Sequence, residues 1–84
     1  MSSKPENLSV MAYANGFTLW HYITEDNNKI VFSDGYFNDV AYMLRSGDMI
    51  MMNLNTGGES EAYLALCSIS DGKTVKMSKF KVGV

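Results

Sequence analysis

The sequence predicts an α+β fold that is mostly antiparallel β: a small sheet or sandwich with one short helix, over about residues 36–46, packed on it. Three stretches lead there. Phe17 to Thr24 (FTLWHYIT) is dense in aromatic and β-branched residues, the composition of a strand. Asp71-Gly72 separates the strand of Glu61 to Ile69 from a run that mixes lysines with apolar residues, and reads as a hairpin turn. Between them, Phe37, Val40, Ala41 and Leu44 recur at i, i+3, i+4 and i+7, which aligns one apolar stripe along a helix.

Taken in order, residues 1–9 are polar, hold the one proline and show no periodicity, so they read as an N-terminal arm suited to docking. Residues 10–84 then form a single small β-rich domain. Ser9 to Ala14 makes a short strand and Asn15-Gly16 a turn. In the next strand Phe17, Leu19, His21 and Ile23 share one face, and Thr18, Trp20, Tyr22 and Thr24 the other. Glu25 to Lys29 is a polar turn, from which Ile30-Val31-Phe32 returns as the second strand of a hairpin. Ser33-Asp34-Gly35 leads into the helix. Asp34 or Asn38 can cap it by accepting from orphan backbone N–H groups, and Gly47 suits the left-handed position after its last turn.

Met49-Ile50-Met51-Met52 has no polar alternate. A strand with one wet face alternates, so this one is expected to be covered on both sides, by the helix and by a second protein molecule. Asn53 to Ser60 is a loop, and Glu61 to Ile69 a strand. A two-residue type I′ turn at Asp71-Gly72 sets Ser70 opposite Lys73, Ser68 opposite Val75, Leu66 opposite Met77 and Tyr63 opposite Phe80. Leu64, Leu66, Val75 and Met77 then form the core face, with Tyr63, Phe80 and Val82 outward. Lys73, Lys76, Lys79 and Lys81 are expected to face water and blunt a sheet edge.

Composition narrows the function. Eighty-four residues hold one domain, and 46% hydrophobic with 19% charged residues describes an ordered globular chain. Ordering costs about 1.5 kcal/mol per residue, which a small core barely offsets. One cysteine, Cys67, allows no internal disulfide, and one Cys with one His allows no closed zinc site. Self-assembly is the remaining remedy. A net charge of −2 argues against a nucleic-acid partner, which wants a basic patch. No apolar run approaches the roughly 18 residues of a membrane span, and the first residues lack a signal-peptide core. The expected location is the cytoplasm, or a particle assembled there.

Candidate chemistry is sparse. His21, alone of its kind, reads as a structural histidine between Trp20 and Tyr22, and Cys67 as a buried inert thiol in mid-strand. Asp26, Asp34, Asp39, Asp48 and Asp71 stand where turns and caps want carboxylates. Asp26 to Ile30 lacks the alternating oxygens of a calcium loop, and Gly57-Gly58 lacks the rest of a phosphate cradle. Trp20, Tyr22, Tyr36, Tyr42 and Tyr63 have no basic groove beside them for base stacking, which favours protein contacts. Seven methionines suit irregular packing surfaces in the same way.

The run SVMAYANGFTLWHY from Ser9 to Tyr22, then Gly35-Tyr36-Phe37-Asn38, then Leu44-Arg45-Ser46-Gly47-Asp48-Met49-Ile50, resembles small proteins encoded among the head genes of tailed bacteriophages and prophages. The resemblance covers Ser9 to about Leu54; the final hairpin shares less, and the loops here are short. It implies a virion structural component without enzymatic activity or cofactor: a capsid accessory, decoration or head-fibre protein. A tail or baseplate component and a soluble protein-binding module are the alternatives. The expected partner is the major capsid protein on the capsid exterior, with no nucleic acid and no membrane. A homo-oligomer is expected, a trimer favoured because capsid lattices present local three-fold sites. Met11, Tyr13, Phe17, Trp20, Tyr22, Met51 and Tyr63 are the expected interface residues.

Overall fold

The computed structural model describes residues 3–81, apart from the side chains of Ile69 and Lys81; Val82 lies outside the described residues. Five strands form one sheet in the order β1-β2-β3-β4-β5: β1 (Leu8–Ala14), β2 (Phe17–Ile23), β3 (Met49–Leu54), β4 (Glu61–Ser70) and β5 (Val75–Lys81). All neighbours pair antiparallel except β2 and β3, which run parallel. The fold is α+β and mostly antiparallel, as expected. Parallel neighbours cannot be joined by a tight turn, so residues 24–48 cross over and supply the cover for one face of the sheet.

The crossover differs from the sequence expectation in two places. Ile30-Val31-Phe32 does not return as a strand. The Asn27 side chain accepts a hydrogen bond from the Ile30 N–H at 3.0 Å and starts a four-residue helix, α1 (Asn28–Val31). A satisfied N-cap outweighs the β-branched preference of two residues, and β2 is left to pair with β3. Residues 36–46 are not one continuous helix. Gly35 has a φ of +83°, and the N–H groups of Asn38, Val40, Ala41 and Met43 each bond three residues back, around a 3₁₀ turn at Asn38–Val40. Asn38, a candidate cap, turns its side chain outward to accept from the Val75 N–H at 3.0 Å. The apolar stripe keeps its purpose: Phe37, Val40, Ala41 and Leu44 are all buried against the sheet.

β3 alternates in burial despite its uniform composition. Ile50, Met52 and Leu54 point into the core, while Met49, Met51 and Asn53 point away. The β4–β5 register is corrected as well. Asp71 Oδ1 accepts from the N–H groups of Lys73 (2.9 Å) and Thr74 (2.8 Å), with Gly72 at a φ of +89°. The loop is therefore four residues, Ser70 pairs with Val75 rather than Lys73, and the register slips again between Cys67 and Ile69. The Thr74 and Lys73 N–H groups hold the Asp71 carboxyl below its usual range. The four-residue loop moves the register by two and keeps the faces; the one-residue slip at the bulge exchanges them beyond it. Tyr63, Ala65 and Cys67 face the core, Leu66 is exposed beside Leu64, and Leu64 rather than Tyr63 stands opposite Phe80. Val75 and Met77 remain on the core side, as expected.

The described part of the arm lies on its own domain. The Ser3 N–H donates to the Tyr36 carbonyl (2.8 Å), the Lys4 N–H to the Tyr22 hydroxyl (3.2 Å), and Pro5–Asn7 makes a 3₁₀ turn into β1.

Candidate functional site

Two polar clusters sit beneath the covered face, and both bind the chain to itself. The first surrounds Asp48, 1% exposed. Its Oδ1 accepts from the Thr18 N–H (3.0 Å), and its Oδ2 from Trp20 Nε1 (3.0 Å) and the Arg45 N–H (3.1 Å). The placement follows from the local sequence. Gly47 takes a φ of +96°, a conformation costly for residues with a Cβ, and donates to the Cys67 carbonyl at 2.8 Å; Cys67 in turn donates to the Asp48 carbonyl at 2.8 Å. Leu44-Arg45-Ser46-Gly47-Asp48 is thus a turn that delivers a carboxylate to the indole of β2. Burial, with Asp48 as a second cause, pushes the Cys67 thiol up to about 11.

The second cluster joins the other aromatic motifs. Tyr22 and Tyr36 share a hydrogen bond of 2.9 Å between hydroxyls, and Tyr36 donates to Asp26 Oδ2 at 2.7 Å. Burial first, then the bond to Tyr22, raises the Tyr36 hydroxyl well above its ordinary value. Tyr22, Tyr36 and Phe37 pack edge to face, with centroids 5.0–6.3 Å apart. These bonds tie the crossover to β2. Among the described residues, no group of three or more His, Cys, Asp or Glu could hold a metal ion, and no helix is long and apolar enough to cross a membrane.

The other face of the sheet is open. The pairing registers set its side chains in rows across the strands: Leu19, Met49, Leu66 and Ser78 in one, His21, Met51, Leu64 and Phe80 in the next, Ile23, Asn53 and Ala62 in a third. Among them Ile23 is 44%, Met51 44%, Leu66 40% and Phe80 67% exposed. On this side β2, β3 and β4 carry no Asp, Glu, Lys or Arg. Its two central polar groups face one another, His21 Nε2 lying 3.5 Å from Asn53 Nδ2. A groove of about 460 Å³ runs over β2 to β4 among Leu19, His21, Met49, Met51 and Leu64. A smaller one, about 160 Å³, lies beside Phe80 and Leu66. Isolated exposed apolar residues are ordinary; a contiguous uncharged sheet face is the mark of an interaction surface.

The expected interface residues fall into different settings. Met51 lies at the centre of the open face, and Phe17 borders its groove. Tyr13, Phe17 and Trp20 come together with Met43 and Arg45 around a second cleft of about 520 Å³, above Asp48. Met11 and Tyr13 are exposed on the β1 edge. Trp20, Tyr22 and Tyr63 are buried and engaged in the chain's own core: Tyr63 packs on Phe32 at 5.4 Å, and the Lys79 ammonium lies 5.0 Å over that Phe32 ring. Leu19, Leu64, Leu66 and Ile23 complete the face and were not among the expected residues. Alternation in β2 pointed to Leu19 and Ile23, whereas the hairpin register concealed Leu64 and Leu66. A scan against protein-family models and searches of curated proteins and of solved structures found no match to this chain.

Proposed function

We propose that this chain is a non-enzymatic structural protein of a phage virion, binding the capsid exterior as a decoration or fibre-base protein that stabilises the head. The observation that supports it is the uncharged apolar face, left open on a domain whose buried carboxylate and tyrosines are all occupied in holding the fold. A surface of that kind suits a permanent assembly better than a catalytic cycle. The phage setting rests on the resemblance carried by Ser9 to Tyr22, Gly35 to Asn38 and Leu44 to Ile50.

The mechanism is cementing. Each apolar Å² removed from water contributes about 25 cal/mol, and association entropy takes back much of the sum. Many copies on one lattice make modest contacts sufficient. The partner is the major capsid protein, approached by a homo-oligomer. Mass spectrometry of purified virions from a strain carrying this gene tests the proposal. Presence at a copy number that scales with the shell supports it. Absence from the particle refutes it, and a copy number of tail order would move the protein to the tail or baseplate.

A further inference from the structure

We propose that the open sheet face is covered by a second copy of this chain, the two sheets stacking about a two-fold axis that runs along the strands between β3 and β4. The proposal deepens the assembly reading above by naming the occupant of the face.

Area favours it. Taking about 200 Å² for a fully exposed large side chain, Ile23, Met51, Leu66 and Phe80 together present roughly 400 Å² at their observed exposures. The half-buried Phe17, Leu19, Met49 and Leu64 bring the face to roughly 600 Å² per copy, or about 1,200 Å² for a facing pair, where stable specific interfaces begin. Charge favours it too. A chain of net charge −2 would repel its own copy through any acidic surface; β2, β3 and β4 place no formal charge here, and the one charge that β5 adds on the same side as Phe80 is the ammonium of Lys76 at the end of the face. The central polar pair, His21 and Asn53, is already close enough to satisfy itself.

Shape selects the axis. Phe80 projects from β5 at 67% exposure, while the larger groove lies over β2 to β4 in the same row as Phe80. An axis between β3 and β4 carries β5 of one copy over β2 of the other. It sets Phe80 against the groove at His21 of the second copy and Leu64 against Met51, twice over by symmetry. Sheets about 10 Å apart interdigitate side chains of this size.

Cross-linking tests the arrangement. Facing positions on sheets about 10 Å apart lie beyond the reach of about 7 Å for a disulfide, so a bis-maleimide spanning about 10 Å is used. Like positions on the two copies are in addition three strand spacings apart sideways, roughly 14 Å, and out of its reach. A mixture of His21→Cys and Phe80→Cys chains treated with that linker should give a two-chain product far faster than either variant alone. Light scattering of the unmodified chain should give a two-chain mass, which Phe80→Asp halves while circular dichroism stays native. A monomer at every concentration, a three-chain mass, or a mixture that fails to cross-link would each overturn the pairing. Failure here with the protein present in virions leaves the capsid role standing. A dimer absent from virions leaves the pairing standing and removes that role.

Discussion

Replacing Asp48 with asparagine asks whether the buried carboxylate organises the domain. Its two oxygens accept three N–H groups, from Thr18, Trp20 and Arg45. An amide has one acceptor oxygen. In its better orientation it keeps the Trp20 and Arg45 bonds as neutral ones and turns an NH₂ toward the Thr18 N–H, donor against donor. Hydrogen bonds to a charged group contribute about 1.5–3 kcal/mol each, and a buried donor left unpaired costs about 1–3 kcal/mol. Relief of the carboxylate's own desolvation offsets part of that, so the expected loss is about 2–4 kcal/mol. A domain of this length has roughly 4–13 kcal/mol in total. Trp20 is the single tryptophan, so urea unfolding followed by its fluorescence reads the loss at the site. The Cys67 thiol pKa should fall with it, because Asp48 contributes to raising it. A midpoint within about 0.5 kcal/mol of the parent, with the thiol unchanged, would refute the organising role.

Other perturbations follow from the same contacts. Tyr22→Phe removes a hydroxyl that accepts from Lys4 N–H and bonds Tyr36; the expected cost is about 1–2 kcal/mol, with faster amide exchange in residues 3–7 as the local sign. Gly47→Ala meets no neighbouring atom within 4 Å, so its cost should be conformational alone, about 1–2 kcal/mol in urea melts. The Cys67 thiol, with an ordinary value of 9.0, is held near 11 in the fold. Its contribution is complete below pH 9 and is lost as pH rises toward 11, so stability should fall across that window and fall less in Cys67→Ala.

Strand composition made most of the sheet readable. Four strands stand close to where Ser9 to Ala14, FTLWHYIT, Met49 to Met52 and Glu61 to Ile69 placed them. The parallel β2–β3 pairing was not readable, because Ile30, Val31 and Phe32 suit a strand by composition, while the Asn27 cap and the backbone bonds that follow it make them α1. The helical stripe of Phe37 to Leu44 reported burial correctly and backbone geometry incorrectly, since 3₁₀ turns and α-helices of this length bury nearly the same positions. The hairpin faces failed on the β-bulge between Cys67 and Ile69: the four-residue loop at Asp71 moves the register by two and keeps the faces, whereas the bulge moves it by one and exchanges them. That exchange hid Leu64 and Leu66 from the candidate surface. Trp20 and Tyr22 were read as contact residues because aromatic composition carries no information about which face of a strand is covered.

The central claim, that protein covers the open face in the working state, is tested most directly by methionine oxidation in the native assembly. Met51 is 44% exposed in the isolated chain, and its neighbour Met52 is 2% exposed, so one peptide carries both probe and control. The account predicts that peroxide leaves Met51 as protected as Met52 until the assembly is dissociated. Oxidation of Met51 at the rate of a free methionine, with Met52 still protected, would contradict it.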